Sequence, residues 1–261
     1  MNTGMWIAKT GIDAQQTRVS VISNNLANAN TNGYKKGRGE FEDLLYQTVR
    51  QPGGLSSQDT TLPSGLMMGT GVRAVAVQKL FSQGNIVQTN NPLDMAIGGQ
   101  GFFQVVRPDG TTAYTRDGAF QMSADREMVT SSGYLLEPAI TIPVDAISVT
   151  IGVDGVVSVV SSSGPGSTQV GNIDLVSFPN PAGLEPTGQS LYLETAASGT
   201  PTQGTPGEDG LGQLAQNAIE TSNVNVSEEL VNMIEAQRAF EANSKVIATV
   251  DQMLQFLNNT V

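Results

Sequence analysis

The chain has 261 residues, enough for one large domain or two modest ones, and 39% of them are apolar, which supports a real core. It contains no cysteine and no histidine, which excludes disulfides, thiol nucleophiles, imidazole bases and the usual zinc ligand sets together. The formal charge of -11, from 13 basic against 24 acidic side chains, repels a phosphate backbone or an anionic bilayer and argues against nucleic acid as a partner.

Charge is unevenly spread. Residues 1–50 carry six basic and four acidic side chains (6 - 4 = +2), whereas 208–261 carry two basic and eight acidic (2 - 8 = -6). Opposite signs favour pairing of the two ends, although exposed ion pairs contribute only about 0–1 kcal/mol each. No apolar run approaches the roughly 20 residues of a membrane helix, and the N-terminus lacks the basic start and apolar block of a cleaved signal. Export, if it occurs, is expected to use another route.

In chain order, the first predicted element is a helix over residues 1–29, about 40 Å long at roughly 1.5 Å per residue. Met5, Ile12, Val19 and Leu26 recur every seven residues, and Ala8, Gln15, Ile22 and Ala29 follow each three positions later, the a/d stripe of a coiled coil interrupted by Gln15. Residues 28–33 supply the stop. Lys35, Lys36 and Arg38 come next, read either as solvated turn charge or as partners for Glu228, Glu229 or an acidic neighbouring subunit. The stretch 51–71, with Pro52, Pro63 and several glycines, has neither helical nor strand period and reads as a long surface loop suited to intersubunit contact.

Residues 72–200 read as short strands separated by turn signals. Pro108-Asp109-Gly110 and Asp154-Gly155 each divide two apolar runs and predict hairpins. Gly98-Gly99-Gln100-Gly101 lacks the context of a dinucleotide site and reads as close backbone packing. Asp94 and Asp117 are the pair that a carbohydrate-active enzyme would need as acid and base, but Asp117-Gly118 is a turn dipeptide. No catalytic, cofactor-binding or metal-binding residue is assigned. The last element is a second heptad helix, with Val226, Met233, Phe240, Ile247 and Leu254 at a and Glu229, Ala236, Asn243, Val250 and Leu257 at d. Leu230, Val246 and Met253 widen its apolar stripe, so it is expected to face more than one neighbour. Asn225 and Glu228 have the spacing of a capping box and place the helix start near Val226.

Both ends carry motifs that resemble the flagellar axial family of rod, hook and hook-associated proteins. NNLANANTNGYKK, residues 24–36, is similar to the family's N-terminal signature, with Asn28, Thr31, Gly33, Tyr34 and Lys35 at matching positions. SNVNVSEELVNMIEAQRAFEANSK, residues 222–245, is similar to the C-terminal one, with Ser222, Asn223, Gln237, Arg238 and Asn243. TNNPLDMAIGGQGFFQV and TAYTRDGAF resemble the β-domain of rod and hook subunits, and LSSQDTTLPSGLMMGTGV, residues 55–72, resembles a rod-type insertion that a typical hook protein lacks, through Gln58, Asp59, Thr60, Leu62, Pro63 and Gly65. One departure is Asp125-Arg126-Glu127-Met128, where the family usually has a Gly-containing turn; Arg disfavours left-handed backbone.

The expected fold is therefore α+β: N- and C-terminal helices pairing as a coiled coil, an inserted all-β domain and an extended linker region. The expected divisions are 1–30 plus 222–261 for assembly, 31–71 plus 201–221 as the connecting region, and 72–200 as the β-domain. The resemblance implies a non-enzymatic subunit of the distal rod that polymerises with copies of itself into a rigid hollow tube transmitting torque. It implies contacts with proximal rod proteins, hook protein and the surrounding rings, and export by the flagellar type III apparatus. Hook and proximal rod subunits are the nearest alternatives. Expected assembly residues are Met5, Ile12, Val19, Ile22, Leu26, Leu230, Met233, Phe240, Ile247 and Leu254.

Overall fold

A computed structural model describes residues 3–51, 55–57, 60–61, 64–162 and 166–259. It is an α+β chain that separates into two compact units. One comprises Met1–Leu26, Gly37–Gln78 and Asn225–Val261; the other comprises Ala27–Lys36 and Lys79–Val224.

The first unit contains the two long helices, α1 (Thr3–Ala27) and α2 (Val226–Asn259). Asn225 starts α2: its Oδ1 accepts from the amides of Ser227 (3.1 Å) and Glu228 (3.4 Å), which satisfies first-turn donors that a helix leaves open. The same unit holds the ladder of Gly37–Asp43 with Val72–Lys79 and two shorter ladders. Within the stretch that reads as irregular, Leu66–Met68 pairs antiparallel with Gln47–Arg50, and Leu55–Ser57 with Thr60–Thr61. Sequence alternation does not reveal the first pair because every residue in both its strands is exposed, leaving no buried face to impose a two-residue period. Of the insertion residues, Thr60 lies in a strand and Gly65 precedes one; Gln58, Asp59, Leu62 and Pro63 lie outside the described residues.

The second unit is built on antiparallel sheets. Its largest, among the described residues, has seven strands in the order Phe120–Met122, Met128–Thr130, Leu135–Glu137, Phe103–Val106, Thr112–Thr115, Leu191–Leu193 and Glu185–Gly188. The Pro108-Asp109-Gly110 hairpin forms, with Asp109 Oδ1 accepting from the Thr111 amide at 3.0 Å. The Asp154-Gly155 turn joins Ala146–Ile151 to Val156–Ser161 in a three-stranded sheet. Alternation along Phe103–Val106 sends Phe103 and Val105 into a core with Met95, Ile97, Phe120 and Leu136. Phe102, on the other side, packs with Tyr114, Val176, Phe178 and Tyr192. Phe103 meets Phe120 edge to face, with ring centroids 5.2 Å apart.

The turn that departs from the family pattern still adopts left-handed backbone: Arg126 has φ 65°. A non-glycine residue there costs about 1–2 kcal/mol. Three hydrogen bonds hold it in place, from the Arg126 amide to Ser123 O, from the Ile142 amide to Arg126 O, and from the Arg126 guanidinium to Pro143 O. The close-packing reading of the glycine cluster also holds, since a Cβ on Gly99 would sit 2.8 Å from Gly212 Cα.

Phe103 is fully buried in the larger core. Replacing it with Ala should cost about 3–5 kcal/mol, measured as a shift in the urea midpoint of the full chain.

Candidate assembly surface

Polar and small residues, not the greasiest ones, bring α1 and α2 together. A Cβ on Gly11 would lie 2.8 Å from Asn243 Nδ2, so a larger residue there would have to displace the Asn243 side chain where the helices approach. Arg18 Nη2 lies 3.5 Å from Glu235 Oε2, and Asn25 Nδ2 donates to Glu229 Oε2 at 3.3 Å. These contacts fall seven residues apart on α1 and run backwards along α2, so the helices are antiparallel.

Burial falls on some d positions and on Ala14 and Asn25 outside the heptad stripe, while Gln15, Ala29 and Asn243 at d are half-buried. Ala8, Ile22, Glu229, Ala236 and Val250 are buried, whereas Met5, Ile12, Val19, Leu26, Met233 and Ile247 at a are only half-buried. Phe240 remains 40% exposed, Leu254 40% and Leu230 46%. Val231, Ile234, Val246 and Met253 add to this apolar surface on α2, as Trp6 does on α1. The motif residues Gln237 and Arg238 are also exposed on α2. No helix among the described residues is long and apolar enough to cross a membrane.

Apart from Asn243, which lies on α2 against Gly11, the other motif residues meet within the β-unit, around a side chain that the sequence did not single out. Glu220 is 0% exposed as a side chain, and its carboxylate accepts from Lys35 Nζ at 2.6 Å and from Arg116 Nη1 at 3.3 Å. The Gly84 amide donates to it at 2.7 Å, and the Glu220 carbonyl accepts from the Gly33 amide at 2.8 Å. Beside it, Asn223 Oδ1 accepts from the Lys36 amide at 2.7 Å while its Nδ2 donates to Leu80 O at 2.9 Å. Lys79 Nζ donates to Lys35 O and sits 4.2 Å from the Tyr34 ring centroid, a cation–π contact. Ser222 is buried next to this cluster in sequence. Asn28 and Thr31 form the turn that leads in, with Thr31 Oγ1 3.2 Å from Asn28 Oδ1. Gly33 has φ 65° and a Cβ there would lie 2.5 Å from the Asp117 amide nitrogen, so the motif glycine is required twice over.

This geometry corrects the reading of the basic group after α1. Lys35 is neither solvated nor paired with Glu228 or Glu229; it is buried against Glu220, because a cation removed from water needs a carboxylate at contact distance. Arg38 instead forms an exposed pair with Glu40 at 2.7 Å. Burial pulls the Lys35 ammonium below its ordinary range, opposed by the Glu220 charge and hydrogen bond. Asp94 and Asp117 are occupied by turn bonds: Asp94 accepts from Thr89 and Asn91, and Asp117 from the Ala119 amide. Burial raises the Asp117 carboxyl, the Ala119 amide lowers it, and Asp94 adds to the rise.

Terminal helices that leave an apolar stripe exposed, on a chain whose motif residues clamp the entry and exit of a β-unit, suit a structural building block. Comparison with known proteins agrees. Three family models match: the flagellar basal body rod protein over residues 5–35, the FlgE/F/G hook protein D1 domain over 96–159, and the C-terminal part of the FlgEFG basal body rod protein over 215–260. The flagellar basal-body rod protein FlgG of Buchnera aphidicola subsp. Schizaphis graminum is 56% identical over 258 residues, 99% of each chain. That of Borreliella burgdorferi is 46% identical over 99% of this chain and 98% of its own. That of Bacillus subtilis is 39% identical over 96% of both. The chain belongs to the flagellar basal-body rod protein family. It is a structural component of the bacterial flagellar basal body and not an enzyme.

Glu220→Gln should leave two buried cations without their carboxylate and cost about 3–5 kcal/mol, whereas Arg38→Ala should cost no more than about 1 kcal/mol; urea unfolding of both variants tests the contrast. Asp117 has a folded-state pKa above its unfolded one, so its contribution is complete below the unfolded pKa and is lost as pH rises through the folded value. Asp117→Asn should therefore melt higher than the parent at neutral pH, and the gap should close on acidification through the carboxylate range.

Proposed function

We propose that the chain forms the distal segment of the flagellar rod by polymerising into a rigid hollow tube, with α1 and α2 paired as a coiled coil that is completed only by neighbouring copies. The observation that carries this reading is the large apolar side chains that the two helices leave in water, Leu230, Phe240, Met253 and Leu254 among them. The two helices bury few large apolar side chains, Ile22 and Val250 being the exceptions, while each fully covered large apolar side chain contributes about 1.5–3 kcal/mol. Ordering one residue costs about 1–2 kcal/mol of backbone entropy. The helical ends are therefore marginal in one copy and gain helix on polymerisation, when Phe240, Leu230 and Leu254 leave water.

In this arrangement 1–30 plus 222–261 is the assembly core, 72–200 is the β-domain, and 31–71 plus 201–221 connects them. Full-length similarity to FlgG proteins supports the distal position over hook. The tube carries torque between proximal rod proteins and the hook, turns within surrounding rings, and is built from subunits exported by the flagellar type III apparatus without cleavage. The insertion, residues 51–71, stiffens the tube by filling space between copies.

Charged substitutions test this directly. Ile12→Asp and Phe240→Asp should each raise the critical concentration for polymerisation at least about tenfold, equal to about 1.4 kcal/mol, with the β-unit's near-ultraviolet circular dichroism unchanged. Tubes formed at the parent concentration would sink the proposal. Deleting residues 56–65 should give a more flexible polymer or none, read as bending stiffness in electron micrographs.

A further inference from the structure

Asn32-Gly33 is the only Asn-Gly dipeptide in the chain. An asparagine closes to a succinimide most readily when glycine follows it, because no side chain then hinders attack by the next amide nitrogen on the asparagine Cγ. Packing nevertheless demands glycine at this position: its φ is 65°, and a Cβ would lie 2.5 Å from the Asp117 nitrogen and 2.7 Å from Arg116 C. The fold therefore requires the one neighbour that leaves Asn32 chemically least protected.

The same fold closes the reaction off. The peptide unit joining Asn32 to Gly33 is held at both of its polar atoms: Asn32 O accepts from Ser190 Oγ at 3.3 Å, and the Gly33 amide donates to Glu220 O at 2.8 Å. Gly33 is buried and Asn32 half-buried. To act as a nucleophile the Gly33 nitrogen must lose the proton it shares with Glu220 O and turn toward the Asn32 side chain. A buried amide in such a bond does neither until the segment opens.

We propose that Asn32 is a modification site open only in the unfolded chain, where it converts to isoaspartate, and that an isoaspartyl chain can no longer close the clamp of Gly33 and Lys35 on Glu220. The Gly33 nitrogen bonds to Asn32 Cγ, the bond from Cγ to the side-chain nitrogen breaks, and ammonia leaves with the proton. Water then opens the succinimide at the former backbone carbonyl, so the chain runs on through Cγ and that carbonyl becomes a free carboxylate. The extra methylene lengthens the path by about 1.5 Å. Gly33 cannot then reach Glu220 O while Asn32 stays against Ser190, and Lys35, two residues on, loses its place against the Glu220 carboxylate. Time spent unfolded is recorded at Asn32, whereas a folded copy is protected.

The test holds the full-length protein at mildly alkaline pH, in native buffer and in guanidinium chloride, and follows each asparagine by peptide mapping and mass spectrometry. In denaturant Asn32 should convert faster than any other asparagine; in the folded chain it should convert at least about a hundredfold more slowly, since reaction through an opened state scales with the population of that state. After dilution from denaturant, native near-ultraviolet circular dichroism should be lost in proportion to the isoaspartyl fraction. Asn32→Ser, which cannot form the ring, should recover that signal fully after the same ageing, and Asn32→Gln takes its place if the serine variant does not fold when fresh. Similar conversion rates in the two buffers, slow conversion of Asn32 in the unfolded chain, or native refolding of the isoaspartyl fraction would each overturn the proposal.

Discussion

The entry and exit of the β-unit are joined through one buried carboxylate. Glu220 holds Lys35 from the segment after α1 and Arg116 from the middle of the sheet, and its carbonyl ties down Gly33. Such a cluster adds little net stability compared with an apolar replacement, because the desolvation of three charges offsets most of their attraction. Its value is specificity. Any alternative path of the chain that separates these three residues leaves at least one charge buried without a partner, so the entry and exit of the β-unit are held side by side.

The helices follow the opposite logic. Their mutual contact is made of Gly11, Asn25, Asn243 and small residues, which fix an antiparallel register through polar contacts while burying little apolar surface. The larger side chains at a are left half in water. For an isolated globule this would be wasteful patterning, and apolar surface of this extent marks an interaction site. Under the assembly proposed above, it is what makes association favourable: specificity of pairing inside one copy, and driving force between copies, are carried by different stripes of the same helices.

Several local features were readable because they rest on short-range chemistry. The Asn225 cap and the Pro108-Asp109-Gly110 and Asp154-Gly155 hairpins depend on residues within a few positions of one another. The ladder between Gln47–Arg50 and Leu66–Met68 was not readable, since strands exposed on both faces carry no alternation. Arg126 defeats the local rule in a different way. Its left-handed backbone is disfavoured by its own side chain, and the hydrogen bonds with Ile142 and Pro143, distant in sequence, hold it there.

What the sequence determined by itself was the class of the molecule: two heptad-patterned ends, a β-rich middle, no cysteine or histidine chemistry, and motifs resembling the flagellar axial family at both termini. Periodicity and turn chemistry are properties of neighbouring residues, so they survive being read along a line. The tertiary structure alone decided which register of the helices is buried, and that Lys35 of one motif pairs with Glu220 while Arg38, three residues on, stays in solvent. Both outcomes turn on which surfaces lose water, and burial is set by residues up to about two hundred positions away in the chain, as the 185 between Lys35 and Glu220 illustrate.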